Sequence, residues 1–106
     1  GYSCVRYYFN QMLMAFHACH HSGIFHGQLK PMNLLLDPGF QLKVTDFGLP
    51  IPNININDKK AVSNCEYYYY SPEILSNQKP SSQSDVFNLG VILFVMLNGY
   101  PPFEIA

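Results

Sequence analysis

Residues 25–33 read FHGQLKPMN, a polar stretch inside a chain that is 48% hydrophobic. It holds a histidine, a glycine, a lysine fixed by the proline after it, and an asparagine, but no acid. Downstream, Leu34-Leu35-Leu36 leads through Asp37-Pro38-Gly39-Phe40 into Gln41-Leu42-Lys43-Val44. Proline followed by glycine at the centre of a four-residue turn suits a type II turn, so 34–45 is expected to be a hairpin. Upstream, Val5, Phe9, Met12, Phe16 and Cys19 recur at helical spacing. That predicts an amphipathic helix over 3–21, with Gly23 as its C-cap and Ile24-Phe25 as a short extended step.

Beyond the hairpin, residues 49–66 lack periodicity and carry two prolines and four asparagines, the pattern of a long exposed loop. The four tyrosines at 67–70 read as packing and hydrogen-bonding surface. Ser71-Pro72-Glu73 has the order of an N-cap, a proline at the first helical position and a first-turn acid. Ser84-Asp85 opens the apolar run 86–97 in the same manner, and Asn98-Gly99 closes it.

With 106 residues the chain has room for one modest domain at most. Its net charge of −1 gives no pull toward nucleic acid or an anionic membrane. The run 86–97, interrupted by Asn88 and Gly90, is shorter than the ~20 residues needed to cross a bilayer, so it reads as a buried core helix. Cys4, Cys19 and Cys65 are odd in number, widely spaced and in no metal-ligand pattern. Together with the lack of a signal-peptide core, they set the expectation of a reducing, cytoplasmic setting. Both ends read as cut, the expectation for a piece of a longer protein. His17, Cys19, His20 and His21 fall on different faces of one helix with no second ligand cluster, which speaks against zinc.

Four motifs in order now carry a resemblance. FHGQLKPMN followed by LLLD resembles the catalytic loop of protein kinases, and Asp46-Phe47-Gly48 their metal-binding Asp-Phe-Gly. Ser71-Pro72-Glu73 resembles the Ala-Pro-Glu that closes the activation segment, and Asp85-Val86-Phe87-Asn88-Leu89-Gly90 the start of the central buried helix. Lys30 points to the serine/threonine class; RYYFNQML and GVILFVMLNGYPPF are most similar to the calcium/calmodulin-dependent and SNF1-like group. The fold implied is α+β, mainly α: a partial large (C-terminal) lobe with a small β-hairpin at the cleft. Its parts would be helix 3–21, catalytic loop 26–33, hairpin 34–45, activation segment 46–73 and buried helix 85–97.

The resemblance implies ATP and Mg2+ as cofactors and a protein substrate or partner. Hard magnesium ions take oxygen ligands, which Asn33 and Asp46 would supply from two sides of one cleft. Lys30 would set a cation on the transferred phosphate, and Leu35 would floor the adenine. His26 would pack against Phe47 as a structural residue beside Gly48. Asp85 would accept hydrogen bonds from the catalytic-loop backbone, and Glu73 would have a structural role.

The chain departs from the pattern at the proton acceptor. Gln28 stands where relatives carry the aspartate that takes the substrate hydroxyl's proton, and an amide has no titratable group near neutral pH. Such a base contributes ~10²–10⁴-fold. Gly27 replaces the arginine that holds a phosphorylated activation segment, and Ser63 is the one plausible phosphosite before Ser71. Glu66 falls where relatives brace the base with a threonine; it could pair with Lys30 or act as a displaced base. These 106 residues hold neither a Gly-rich phosphate loop nor a strand lysine paired with a helix glutamate, and Arg6 is the only arginine available to Glu73. The expectation is a serine/threonine kinase-like domain fragment acting as a pseudokinase or scaffold. The alternatives are a weakly active kinase in a full-length parent and a non-functional gene fragment.

Overall fold

The computed structural model describes residues 2–49, 51, 54 and 68–99. Helix α1 runs Tyr2–His21 and presents Phe9, Met12 and Phe16 to the interior. It ends where Gly23 takes a left-handed φ of 74°. The Gly23 N–H then reaches the His20 carbonyl at 3.0 Å and the Ile24 N–H reaches that of Cys19 at 2.9 Å, the paired bonds of a Schellman cap.

After the loop, a single 3₁₀ turn at Pro31–Asn33 feeds strand β1, Leu34–Leu36, which pairs antiparallel with β2, Leu42–Val44. The register sets Leu34 opposite Val44 and Leu35 opposite Lys43. Leu34, Leu42 and Val44 pack toward the core, and Leu35 is left half exposed on the outer side. The turn differs from the type II expectation. Positive φ falls on Phe40, at 60°, and not on Gly39. The Asp37 carboxylate explains this: its Oδ1 accepts the N–H groups of Gly39 at 2.8 Å and Gln41 at 2.9 Å, which wraps the chain into a three-residue loop.

Helix α2, Pro72–Leu75, is one turn long, and Ser71 Oγ accepts the Ile74 N–H at 3.4 Å. Helix α3 spans Ser82–Asn98, so it starts three residues before the position expected from Ser84. Ser81 is the N-cap, and Ser81 and Ser84 exchange hydrogen bonds: Ser81 N–H to Ser84 Oγ at 2.8 Å and Ser84 N–H to Ser81 Oγ at 3.3 Å. Nor is α3 buried all round. Ser84, Asp85, Asn88, Leu89, Val91 and Ile92 are covered, whereas Val86 and Leu97 are exposed. Among the described residues no helix is long and apolar enough to cross a membrane.

Two apolar cores result. The larger joins Met12 and Phe16 of α1 to Leu29 of the loop and Leu89 and Ile92 of α3. Leu29 is fully buried, so the polar loop is nailed to the core through its one aliphatic residue. The smaller core joins Ile54, Tyr70 and Ile74, with Ile51, Tyr69 and Leu75 beside it. Of the loop expected to be exposed over 49–66, Ile54 is thus buried. Ser63, Cys65, Glu66, Tyr67 and the ends of the chain lie outside the described residues.

Candidate functional site

The loop at 26–30 is held from below by two side chains one helical turn apart on α3. Asp85 is completely buried. Its Oδ2 accepts the His26 backbone N–H at 2.9 Å, and its Oδ1 that of Gly27 at 2.7 Å. Asn88 takes the next step: its Oδ1 accepts the Leu29 N–H at 2.7 Å, and its Nδ2 donates to the Leu29 carbonyl at 2.8 Å. The same Nδ2 donates to the Tyr69 carbonyl at 2.7 Å, which ties the loop to the segment that ends at Ser71. A buried amide and a buried carboxylate are stable here because every polar atom has a partner. His20 adds one more, with Nε2 2.7 Å from Asp85 Oδ2.

Between these two anchors sits Gln28. Its backbone N–H donates to His26 Nδ1 at 3.3 Å, and its half-buried side chain makes no hydrogen bond among the described residues. The peptide planes on both sides of Gln28 are fixed while the amide head is left uncommitted. His26 Nε2 lies 2.7 Å from the Thr45 carbonyl, so Nε2 carries the hydrogen and Nδ1 accepts. The ring packs edge-on against Phe47, with centroids 4.9 Å apart, and Phe47 in turn meets Phe16 at 4.8 Å. Burial pushes the His26 pKa below its ordinary value, against the pull of the Thr45 carbonyl and of the Asp85 and Asp46 carboxylates.

The base of the hairpin brings Asn33 and Asp46 together. Asn33 is buried, and its Nδ2 donates to Asp46 Oδ2 at 3.0 Å. Asn33 Oδ1 accepts the Lys30 N–H at 3.2 Å, and the Asn33 carbonyl accepts the Thr45 N–H at 2.9 Å. Lys30 is extended, as a residue before proline must be, and its side chain is half-buried beside the site. Asp46 is exposed with a φ of 69°, a conformation a non-glycine residue rarely holds. Gly48 follows at φ 73° and donates to the Phe25 carbonyl at 3.3 Å.

Lys30, Asn33 and Asp46 are therefore joined by hydrogen bonds, Gln28 lies two residues before Lys30 on the same loop, and His26, bonded by the Gln28 N–H, packs on Phe47. Leu35 stands half exposed on β1. Glu73 lies apart on α2 and makes no ion pair among the described residues. The motifs do not mark Asn88 or His20 as anchors of the loop. The sequence offers one cue for Asn88, an amide interrupting an apolar helix three residues after Asp85, but none for its partners.

Residues 3–106 match the family described as the protein kinase domain. The chain belongs to the protein kinase family. It is 44% identical over 102 residues to CBL-interacting protein kinase 32 of Oryza sativa subsp. japonica, covering 93% of this chain and 23% of that protein. It is 44% identical over 101 residues to CBL-interacting serine/threonine-protein kinase 24 of Arabidopsis thaliana, covering 93% and 22%. Against serine/threonine-protein kinase PKH1 of Saccharomyces cerevisiae the identity is 38% over 119 residues, covering 98% and 15%. The chain thus spans less than a quarter of the length of these curated relatives. Its mainly helical architecture with one antiparallel hairpin is that of part of a kinase domain.

Proposed function

We propose that this chain forms part of a serine/threonine protein kinase-like domain that keeps a nucleotide site but has lost its proton acceptor, and so works as a pseudokinase, a scaffold or allosteric partner for another protein. One observation carries the reading. Asp85 and Asn88 fix the loop on both sides of position 28, and the residue presented there is an amide. The mount for a base is complete and the base is gone.

The donor set fits magnesium and nucleotide phosphate. Mg2+ takes one or two protein oxygens and completes its shell with water and phosphate. Asp46 commits Oδ2 to Asn33 and, among the described residues, has Oδ1 without a partner. Asn33 and Asp46 would hold the metal, Lys30 would face the phosphates, and Leu35 would lie against the adenine. Bound Mg·ATP supplies the transferable phosphoryl group. Gln28 orients a hydroxyl through its amide oxygen and leaves the proton where it is.

A second reading, a weakly active kinase, draws on the same residues. Lys30, Asn33 and Asp46 remain, and phosphoryl transfer has a loose transition state in most analyses, so a missing base need not abolish it. Relatives named for interacting with CBL support a protein partner here. A cytoplasmic setting goes with this reading, and the cysteine count supports it.

The test uses the protein in the full length its gene encodes. ATP binding is measured by calorimetry with and without Mg2+, and phosphoryl transfer to a generic protein substrate is measured separately. Magnesium-dependent binding without transfer is the expected result. Transfer at rates ordinary for kinases would overturn the reading in favour of an active enzyme.

A further inference from the structure

One peptide unit of the loop is held at both ends by asparagine side chains. The Leu29 carbonyl accepts from Asn88 Nδ2 at 2.8 Å, and the Lys30 N–H of the same peptide donates to Asn33 Oδ1 at 3.2 Å. Asn33 Nδ2 then donates to Asp46 Oδ2 at 3.0 Å. Three amides therefore run in series from α3 to an exposed carboxylate: the Asn88 side chain, the Leu29–Lys30 peptide and the Asn33 side chain. Asn88, Leu29 and Asn33 are all buried.

The partners fix which way each amide points. Asn88 Oδ1 accepts the Leu29 N–H at 2.7 Å, while its Nδ2 faces two carbonyl oxygens, those of Leu29 and, at 2.7 Å, Tyr69. Turning that amide over would set oxygen against oxygen and N–H against N–H. Asn33 is fixed likewise, because its nitrogen faces a carboxylate and its oxygen an N–H. Each amide donates on the side of Asp46 and accepts on the side of Asn88, so their dipoles add. In a buried setting such alignment strengthens each bond by ~10–30%. The last bond ends on a negative charge, which polarises the whole series in one direction.

We propose that Asn88 is a positioning residue for Asp46, acting through the Leu29–Lys30 peptide and Asn33, and that this amide relay couples the carboxylate to the Tyr69 backbone. No proton moves along it; what passes is orientation and polarisation. A change of charge at Asp46 is felt at Asn88, and loss of Asn88 slackens the aim of Asp46. The use of the relay rests on the nucleotide-site reading. Its existence is tested without ATP or metal, so its failure and the failure of that reading are told apart.

The experiment is nuclear magnetic resonance of the full-length protein labelled with nitrogen-15, free of nucleotide and metal. Asp46→Gly removes the carboxylate and holds the left-handed φ of 69° without strain. It is expected to move the Asn88 side-chain amide protons upfield, although no hydrogen bond joins the two residues directly. Asn88→Ser removes the amide. It is expected to speed exchange of the Lys30 N–H by about two- to fivefold, the lower half of the range for one net hydrogen bond, although the acceptor on Asn33 is untouched. Exchange is taken relative to Met12 and Phe16 of α1, the control for loss of the fold as a whole. A clamp that served Leu29 alone would move neither readout. An unmoved Asn88 amide in Asp46→Gly would therefore overturn the proposal, as would unchanged Lys30 exchange in Asn88→Ser. Asp46→Gly decides the matter if Asn88→Ser does not fold, since Asp46 is exposed.

Discussion

Asn33 donates from Nδ2 to Asp46 Oδ2 at 3.0 Å, so a buried amide aims an exposed carboxylate. The bond fixes one oxygen of Asp46 and, among the described residues, leaves the other without a partner. Asp46→Asn is expected to weaken nucleotide binding by about tenfold or more in the presence of Mg2+, and far less in its absence, since the substitution removes the one negative charge that the proposed site offers a hard cation. Titration of the full-length protein with ATP, with and without Mg2+, checks this. Equal loss in both conditions would mean that Asp46 acts through the fold alone.

Gln28→Asp is expected to raise phosphoryl transfer more than any other single change in this chain, at most ~10²–10⁴-fold in kcat/KM. Lys30, Asn33 and Asp46 are already in place, and the backbone around position 28 is fixed by Asp85 and Asn88. Glu66→Thr is the companion variant, because Glu66 stands in the sequence where relatives brace the base with a threonine. If Gln28→Asp changes nothing while Glu66→Gln destroys a measurable parental activity, Glu66 is the working base.

His26 gives a signed pH dependence. Its pKa is held below the ordinary 6.5 by burial, so the folded chain resists a proton that the unfolded chain accepts. Its contribution to stability is complete above pH ~6.5, falls as the pH drops below that, and levels off under the folded pKa. One proton limits the slope to about 1.4 kcal/mol per pH unit. Denaturation midpoints over pH 5 to 8, compared with those of His26→Gln, are expected to show the slope in the parent and its reduction in the variant.

Asp85→Ala is expected to cost about 3–5 kcal/mol, because it leaves the His26 and Gly27 N–H groups buried without an acceptor. Asn88→Leu matches the size of the side chain but strands both polar groups of Leu29 and removes the donor to the Tyr69 carbonyl, and is expected to fall in a similar range. Equilibrium denaturation in urea of the full-length protein measures both. A loss under about 1 kcal/mol for Asp85→Ala would show that water replaces its contacts.

The elements legible in the sequence are those whose pattern is local. The Phe9–Met12–Phe16 spacing of α1 points at the core because the helical period alone decides which face is buried. The turn type was not legible: Pro38-Gly39 is a strong signal, but the Asp37 side chain captures two backbone N–H groups and moves the left-handed residue to Phe40. The start of α3 differs from the sequence expectation because Ser84-Asp85 directly precedes the apolar run, whereas the reciprocal bond with Ser81 begins the helix a turn earlier. At the site, residue types could be read from the motifs. What Asn88 does could not, because its partners on Leu29 are backbone groups 59 positions away, which leave no trace in composition or period.

That distance has a consequence for the order of assembly. The loop at 26–29 cannot be held until Asp85 and Asn88, made 58 and 59 residues later, have been added to the chain and coiled into α3. During synthesis at ~5–20 residues per second, the ribosome thus releases α1 and the hairpin seconds before the site between them can set. A nascent chain stalled before residue 82 is expected to carry a helical α1 beside a loop that exchanges its amides freely. Within these residues the loop is translated before the two anchors that give it its shape.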